Sequence, residues 1–247
     1  MKNKLFQAGL SLIEIMIALL IGAFLIGGVL QIFISSKQTY RMQQNLSRLQ
    51  ENGRFAMGFL AADIRMAGYW GCLSPSSPNT DVAGTDNNAV SGDNIDNGTD
   101  TITLKGAFVL TPTGTCGTPV NISAAYYTDT SSTITYKINT GILQQNTNGQ
   151  NNDLIEGIDN MQILYGVDTD SDGTFGYGTP NYYVPASSVT NMNQVISIRI
   201  SLLAATLDDN LTTQPVPYIY NGTTTTPTDR KIRRVFTSTI ALRNRLR

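Results

Sequence analysis

The segment "DTDSDG" places Asp168, Asp170 and Asp172 at alternate positions, with Gly173 directly behind them. Oxygen ligands at positions 1, 3 and 5 and a glycine at 6 open a calcium-binding loop, because a hard cation takes clustered carboxylate and carbonyl oxygens. Thr179 stands where such a loop has its bidentate glutamate, and a strand pattern, not a helix, precedes the segment. The residues therefore read either as a calcium site completed by a ligand from elsewhere or as an acidic turn between strands. A second acid, Glu14, stands alone in the apolar run Leu10–Ile34 with Gly9 in front of it. A carboxylate at membrane depth costs about 2.5–3.5 kcal/mol on insertion scales and is usually functional there. The two cysteines, Cys72 and Cys116, are too few for a four-cysteine zinc site, and the chain has no histidine. Histidine-dependent catalysis and mixed Cys/His metal sites are excluded with it. No nucleophile–base pair or phosphate loop is visible, so no enzyme is expected.

These residues need elements to position them. Leu10–Ile34 would be about 37 Å long as a helix, enough to cross a bilayer with some tilt. No cleavage site of the small-x-small kind follows the run, which disfavours an ordinary secretory signal. Lys2 and Lys4 precede it and Lys37 and Arg41 follow, so flanking charge does not fix its orientation. No proline occurs before Pro75. Met42, Leu46, Leu49, Ala56 and Leu60 recur at helical spacing with Gly53 on the same stripe, and Arg41, Arg48 and Glu51 fall off it. This predicts an amphipathic continuation over 35–67, one helix with an apolar half and a half packed on a soluble head.

The head, 68–247, is rich in Thr, Asn, Gly and Ser, and the whole chain is only 14% charged with a formal net charge of −1. That composition suits an extracytoplasmic β-rich surface and offers no electrostatic footprint for nucleic acid. Residues 74–100 read as a long polar loop. Strands are predicted at 101–110, 124–128, 133–138, 142–145, 158–167, 194–204 and 233–242, with 133–145 a hairpin about "NTG". The fold class is α+β: a long N-terminal helix packed on an antiparallel sheet. In an exported chain an even cysteine pair reads as a disulfide. Cys72–Cys116 would close a loop of about 45 residues, worth about 4 kcal/mol in the chain-entropy model.

The stretch "GLSLIE" (Gly9, Leu10, Ser11, Leu12, Ile13, Glu14), behind a short Lys-bearing leader and ahead of an apolar run, resembles the class III signal of type IV prepilins. The resemblance implies cleavage between Gly9 and Leu10 by a membrane aspartyl peptidase and N-methylation of Leu10. It also implies that Glu14 pairs with the amino terminus of a neighbouring subunit and so sets register. Glycine at the cut leaves the backbone open to a protease, and Glu14 falls near the positive end of the helix dipole. The segments "LIEGIDNMQILYGVDTDSDG", "VISIRISLL" and "VFTSTIALRNR" resemble the PilW-type minor pilins of type IV pili; pseudopilins of type II secretion share the leader and layout, so a minor pseudopilin is the alternative reading. Many major pilins carry a proline within the span, and this chain has none there.

The resemblance implies a single-pass inner-membrane protein with a periplasmic head that enters an extracellular pilus as a minor subunit. It would help to initiate assembly, sit near the tip, and support adhesion, twitching motility or DNA uptake. Implied partners are the prepilin peptidase, other minor pilins, the major pilin, the inner-membrane assembly platform and a tip adhesin. The alternative of another class is a membrane-anchored, calcium-dependent adhesin that never enters a fibre.

Overall fold

A computed structural model of the chain describes residues 11–69, 81–85, 98–106, 133–147, 149–170, 174 and 176–245. The chain divides into two compact units, Met1–Gln44 and Asn45–Arg247. A single α-helix, α1, runs through Leu12–Met66. Nothing in its sequence breaks it, since proline is absent and the glycines at 22, 27, 28, 53 and 58 each cost only about 1 kcal/mol relative to alanine.

In the first unit α1 is apolar and exposed almost throughout, from Leu12 to Ile34. Its composition and length are those of a helix that can cross a membrane.

In the second unit α1 buries one stripe: Asn45, Leu49, Gly53, Ala56, Leu60, Ala61 and Ile64. This follows the predicted periodicity with one exchange, because Asn45 and not Leu46 is the fully buried residue at the start of the stripe. Gly53 serves close packing. A Cβ there would come within 2.3 Å of the Phe236 ring. The helix ends at Gly68, whose φ of +72° suits glycine in the left-handed C′ position. Asn244 caps that end, donating from Nδ2 to the Ala67 carbonyl at 2.9 Å.

Eleven strands follow among the described residues: β1 (Val82–Thr85), β2 (Thr101–Lys105), β3 (Thr133–Asn139), β4 (Ile142–Thr147), β5 (Gln150–Glu156), β6 (Ile158–Val167), β7 (Tyr182–Val184), β8 (Val195–Ala205), β9 (Tyr218–Tyr220), β10 (Thr223–Thr225) and β11 (Arg233–Ala241). They form three antiparallel sheets, ordered β1-β2-β3-β4-β5, β10-β9 and β11-β8-β6-β7. The predicted α+β class is therefore observed, as is the hairpin of β3 and β4 with Asn139 opposite Ile142. The turn is made by Thr140 and Gly141, both with positive φ, as a two-residue hairpin loop requires. One core unites helix and strands. Leu49, Leu60 and Ile64 bury with Ile102, Leu104, Tyr136 and Leu143 of one sheet and with Met161, Ile163, Ile198, Ile200 and Ile240 of another.

Two expectations are corrected. The segment 74–100 is not loop throughout, because Val82–Thr85 is a strand paired with β2, Val82 opposite Leu104. Val82 and Asp81 are buried, and Asp81 is held by the distant Arg245, so the polar composition around them hides an anchored edge. The strand predicted over 101–110 ends at Lys105, with Gly106 beyond it and 107–110 outside the described residues. The strand predicted at 124–128 also lies outside them.

Candidate functional site

The residues singled out by sequence fall in three places, of which the first is the start of α1. Ser11 and Glu14 form a reciprocal cap. The Ser11 backbone N–H donates to Glu14 Oε2 at 2.9 Å, and the Ile13 N–H donates to Ser11 Oγ at 3.3 Å. The Ser11 carbonyl accepts from the N–H groups of Glu14 and Ile15. This is a capping box, Ser-x-x-Glu, in which side chains satisfy amides that the first helical turn leaves unpaired. The sequence spacing carried this signal, and the reading of Glu14 as an intersubunit partner passed over it. Gly9 and Leu10 lie outside the described residues.

The second place is the acidic loop after β6. Asp168 is buried and directs both carboxylate oxygens at backbone amides. Oδ1 accepts from Asp170 N at 2.9 Å and Oδ2 from Gly178 N at 2.7 Å. Its own N–H donates to the Gln194 carbonyl. Asp170 Oδ2 accepts from Asn181 Nδ2 at 3.1 Å, and Asn181 Oδ1 in turn accepts from Thr169 N at 2.7 Å. Short Asp and Asn side chains thus fold the loop by bonding nearby backbone. Asp168 and Asp170 also line a cavity of about 220 Å³ with Tyr177, Asn193, Gln194 and Arg245. Asp172 and Gly173 lie outside the described residues. Among the described residues no three Asp, Glu, Cys or His side chains come together as metal ligands. Cys72 and Cys116 also lie outside the described residues.

The third place was not legible in advance: polar ties between α1 and the head. Asn45 Nδ2 donates to Asp208 Oδ2 at 3.1 Å, and Asp208 N donates to Asn45 Oδ1 at 3.2 Å. Farther along, Asp63 Oδ2 accepts from Tyr136 Oη at 2.5 Å and from Gln145 Nε2 at 3.1 Å. Burial pushes the Asp63 carboxyl above the usual carboxylate range, partly offset by the hydrogen bonds from Tyr136 and Gln145. Burial and the neighbouring carboxylate also push the Tyr136 phenol up, so Tyr136 stays a donor.

The raised Asp63 value has a sign that can be tested. Above it, the carboxylate is charged in folded and unfolded chains, and the burial penalty is fully present. As pH falls from the raised value towards 3.8, the folded chain takes up the proton first and the penalty is relieved. Asp63→Asn keeps an oxygen for both donors and removes the charge. Its urea midpoint at pH 7 should equal or exceed that of the parent, and this contribution to acid dependence should vanish. Asp63→Leu leaves the Tyr136 hydroxyl without its acceptor and should cost about 1–3 kcal/mol. A large loss with Asn would overturn this view of the contact.

The strands of the head carry a likeness to a known family. Residues 125–244 match the family model of the type IV pilus-assembly protein W, PilW. Over these residues, a little under half of the chain, the head is thus similar to the PilW proteins of type IV pili. The PilW match runs through β3 to β11 and includes the acidic loop, Tyr136, Gln145 and Asn244. A type IV-like pilin from Thermus thermophilus is similar in structure, with a TM-score of 0.40 and 14% identity over 81% of this chain and 99% of that one. No curated protein sequence matches the chain.

Proposed function

We propose that this chain is a minor pilin of a type IV pilus, a structural subunit and not a catalyst. The observation that carries the reading is the single helix of Leu12–Met66. Its first half is an exposed apolar rod with one capped acid, and its second half is the core helix of a PilW-type head. A mere anchor has no need for an unbroken helix into the head, which suits a subunit that leaves the membrane and packs by its helix.

Cleavage between Gly9 and Leu10, methylation of Leu10, and insertion with the head in the periplasm complete the proposal. So do entry into the pilus near its tip, help in starting assembly, and support for adhesion, motility or DNA uptake. The peptidase, the inner-membrane platform, the other minor pilins, the major pilin and a tip adhesin are the proposed partners. Cys72–Cys116 is the proposed disulfide. Mass spectrometry of the mature chain should find an N-methylated terminus at Leu10. A chain that keeps Met1, or is cut beyond Ile34, would sink the pilin reading.

Calcium at Asp168, Asp170 and Asp172 is a second proposal. It is supported by the ligand spacing and by the cavity that two of these acids line. Because Asp168 already organises the loop through both oxygens, Asp170 is the more informative substitution. Calorimetry should show a calcium-dependent heat that Asp170→Ala abolishes; no heat in the parent chain removes the site.

A further inference from the structure

Acceptor asparagines for N-linked glycans lie in Asn-x-Ser/Thr, and this tripeptide begins at Asn45, Asn97, Asn121, Asn210 and Asn221. The structure separates the three among the described residues. Asn45 is buried and bonded to Asp208, which closes it to an enzyme. Asn221 sits with Gly222 in the tight turn between β9 and β10, both with positive φ, where strand pairing on either side fixes the backbone. Asn210 shares the positive φ, at +59°, but lies in a connection outside the strands. It is exposed, and its side-chain amide makes no hydrogen bond to any described residue.

The connection that holds Asn210 also suits an acceptor. Between Leu207 and Pro217 no backbone–backbone hydrogen bond ties the chain to a strand among the described residues. It is held through side chains instead, by Asp209 Oδ1 accepting from Arg230 N at 2.8 Å and by Thr212 Oγ1 donating to the Gln214 carbonyl at 2.7 Å. Such a loop can be drawn out locally without opening a sheet. Asp208 stands two residues before Asn210, and Thr212 two after.

We propose that Asn210 is a glycosylation site, modified on the extracytoplasmic side by a membrane oligosaccharyltransferase. The donor class is a lipid-pyrophosphate-linked oligosaccharide. Asn210 Nδ2 forms a bond to the anomeric carbon, and the bond from that carbon to phosphate oxygen breaks. The Nδ2 proton passes to a base of the transferase, and the lipid pyrophosphate leaves. The proposal rests on the periplasmic placement of the head proposed above.

The test is mass spectrometry of the full chain purified from its own host, with protease shaving of spheroplasts to report the side on which the head lies. Trypsin releases residues 200–230, which hold both Asn210 and Asn221. The expected result is a saccharide mass increment on that peptide. Asn210→Gln should abolish it, and Asn221→Gln should leave it. A bare peptide on an exported head, or an increment that follows Asn221, overturns the glycan alone. A head protected on the cytoplasmic side overturns the functional reading and the glycan with it.

Discussion

Arg245→Ala should destabilise the head by about 3–5 kcal/mol, although the residue lies near the end of the chain. Its guanidinium is buried, with a side-chain exposure of 9%, and meets an Asp81 carboxylate that is 7% exposed. Nη2 donates to Asp81 Oδ1 at 2.5 Å and Nε to Oδ2 at 3.1 Å, a bidentate pairing. Nη1 donates to the carbonyls of Val195, at 2.8 Å, and Met192. One side chain therefore ties the edge of β1, the entry to β8 and the C-terminal segment. Removing it leaves a buried carboxylate and two carbonyls short of a donor, which costs more than the pair contributes when intact. Arg245→Lys keeps the charge but not the fork and should fall between. Joint replacement of Arg245 and Asp81 by apolar residues should recover part of the loss, because the stranded charge is gone. Urea unfolding of the full chain in detergent measures all three against the parent. A loss below about 1 kcal/mol for Arg245→Ala would mean that Asp81 reaches water or another cation.

The same pair explains what the sequence could and could not disclose. Strands β6, β8 and β11 were legible because each is at least nine residues long and holds several β-branched, aliphatic or aromatic residues, a signal that local chemistry creates. The strand β5, "QNNDLIE", lacks that pattern. It forms because Gly149 turns the chain with a φ of +84° and because Gln144 and Asn146 bond across to Asp153 and Asn151. The strand β1 was hidden because its reason for existing, Arg245, is 164 residues away. Asn45 with Asp208 and Asp63 with Tyr136 were hidden likewise, at separations of 163 and 73. The glycine at 53 could be placed on the buried stripe, but not the Phe236 ring that requires it to lack a side chain. The first turn of α1 is the opposite case. All its groups lie within four residues, so both the leader resemblance and the cap were open to reading.

That cap sharpens the prediction for Glu14. Within one chain the carboxylate satisfies the Ser11 amide. In the proposed pilus it would face the amino group of a neighbour. Glu14→Ala removes both roles and cannot tell them apart, since losing a capping side chain alone costs about 0.5–2 kcal/mol of helix stability. Glu14→Gln separates them. Glutamine is a capping-box residue, and its Oε1 can still accept from the Ser11 N–H, so the first turn should stay formed. Its side chain carries no charge, so a cationic terminus gains no ion pair and the register contribution disappears. The expected result is that Glu14→Gln is inserted and cleaved after Gly9 at the parent level, yet is found in sheared pili at a small fraction of it. Ser11→Ala should do the reverse, loosening the first turn while leaving incorporation largely intact. Immunoblots of sheared pili against membrane fractions read both. If Glu14→Gln enters pili normally while Glu14→Ala does not, the acid acts through the helix cap, and charge pairing between subunits plays no part.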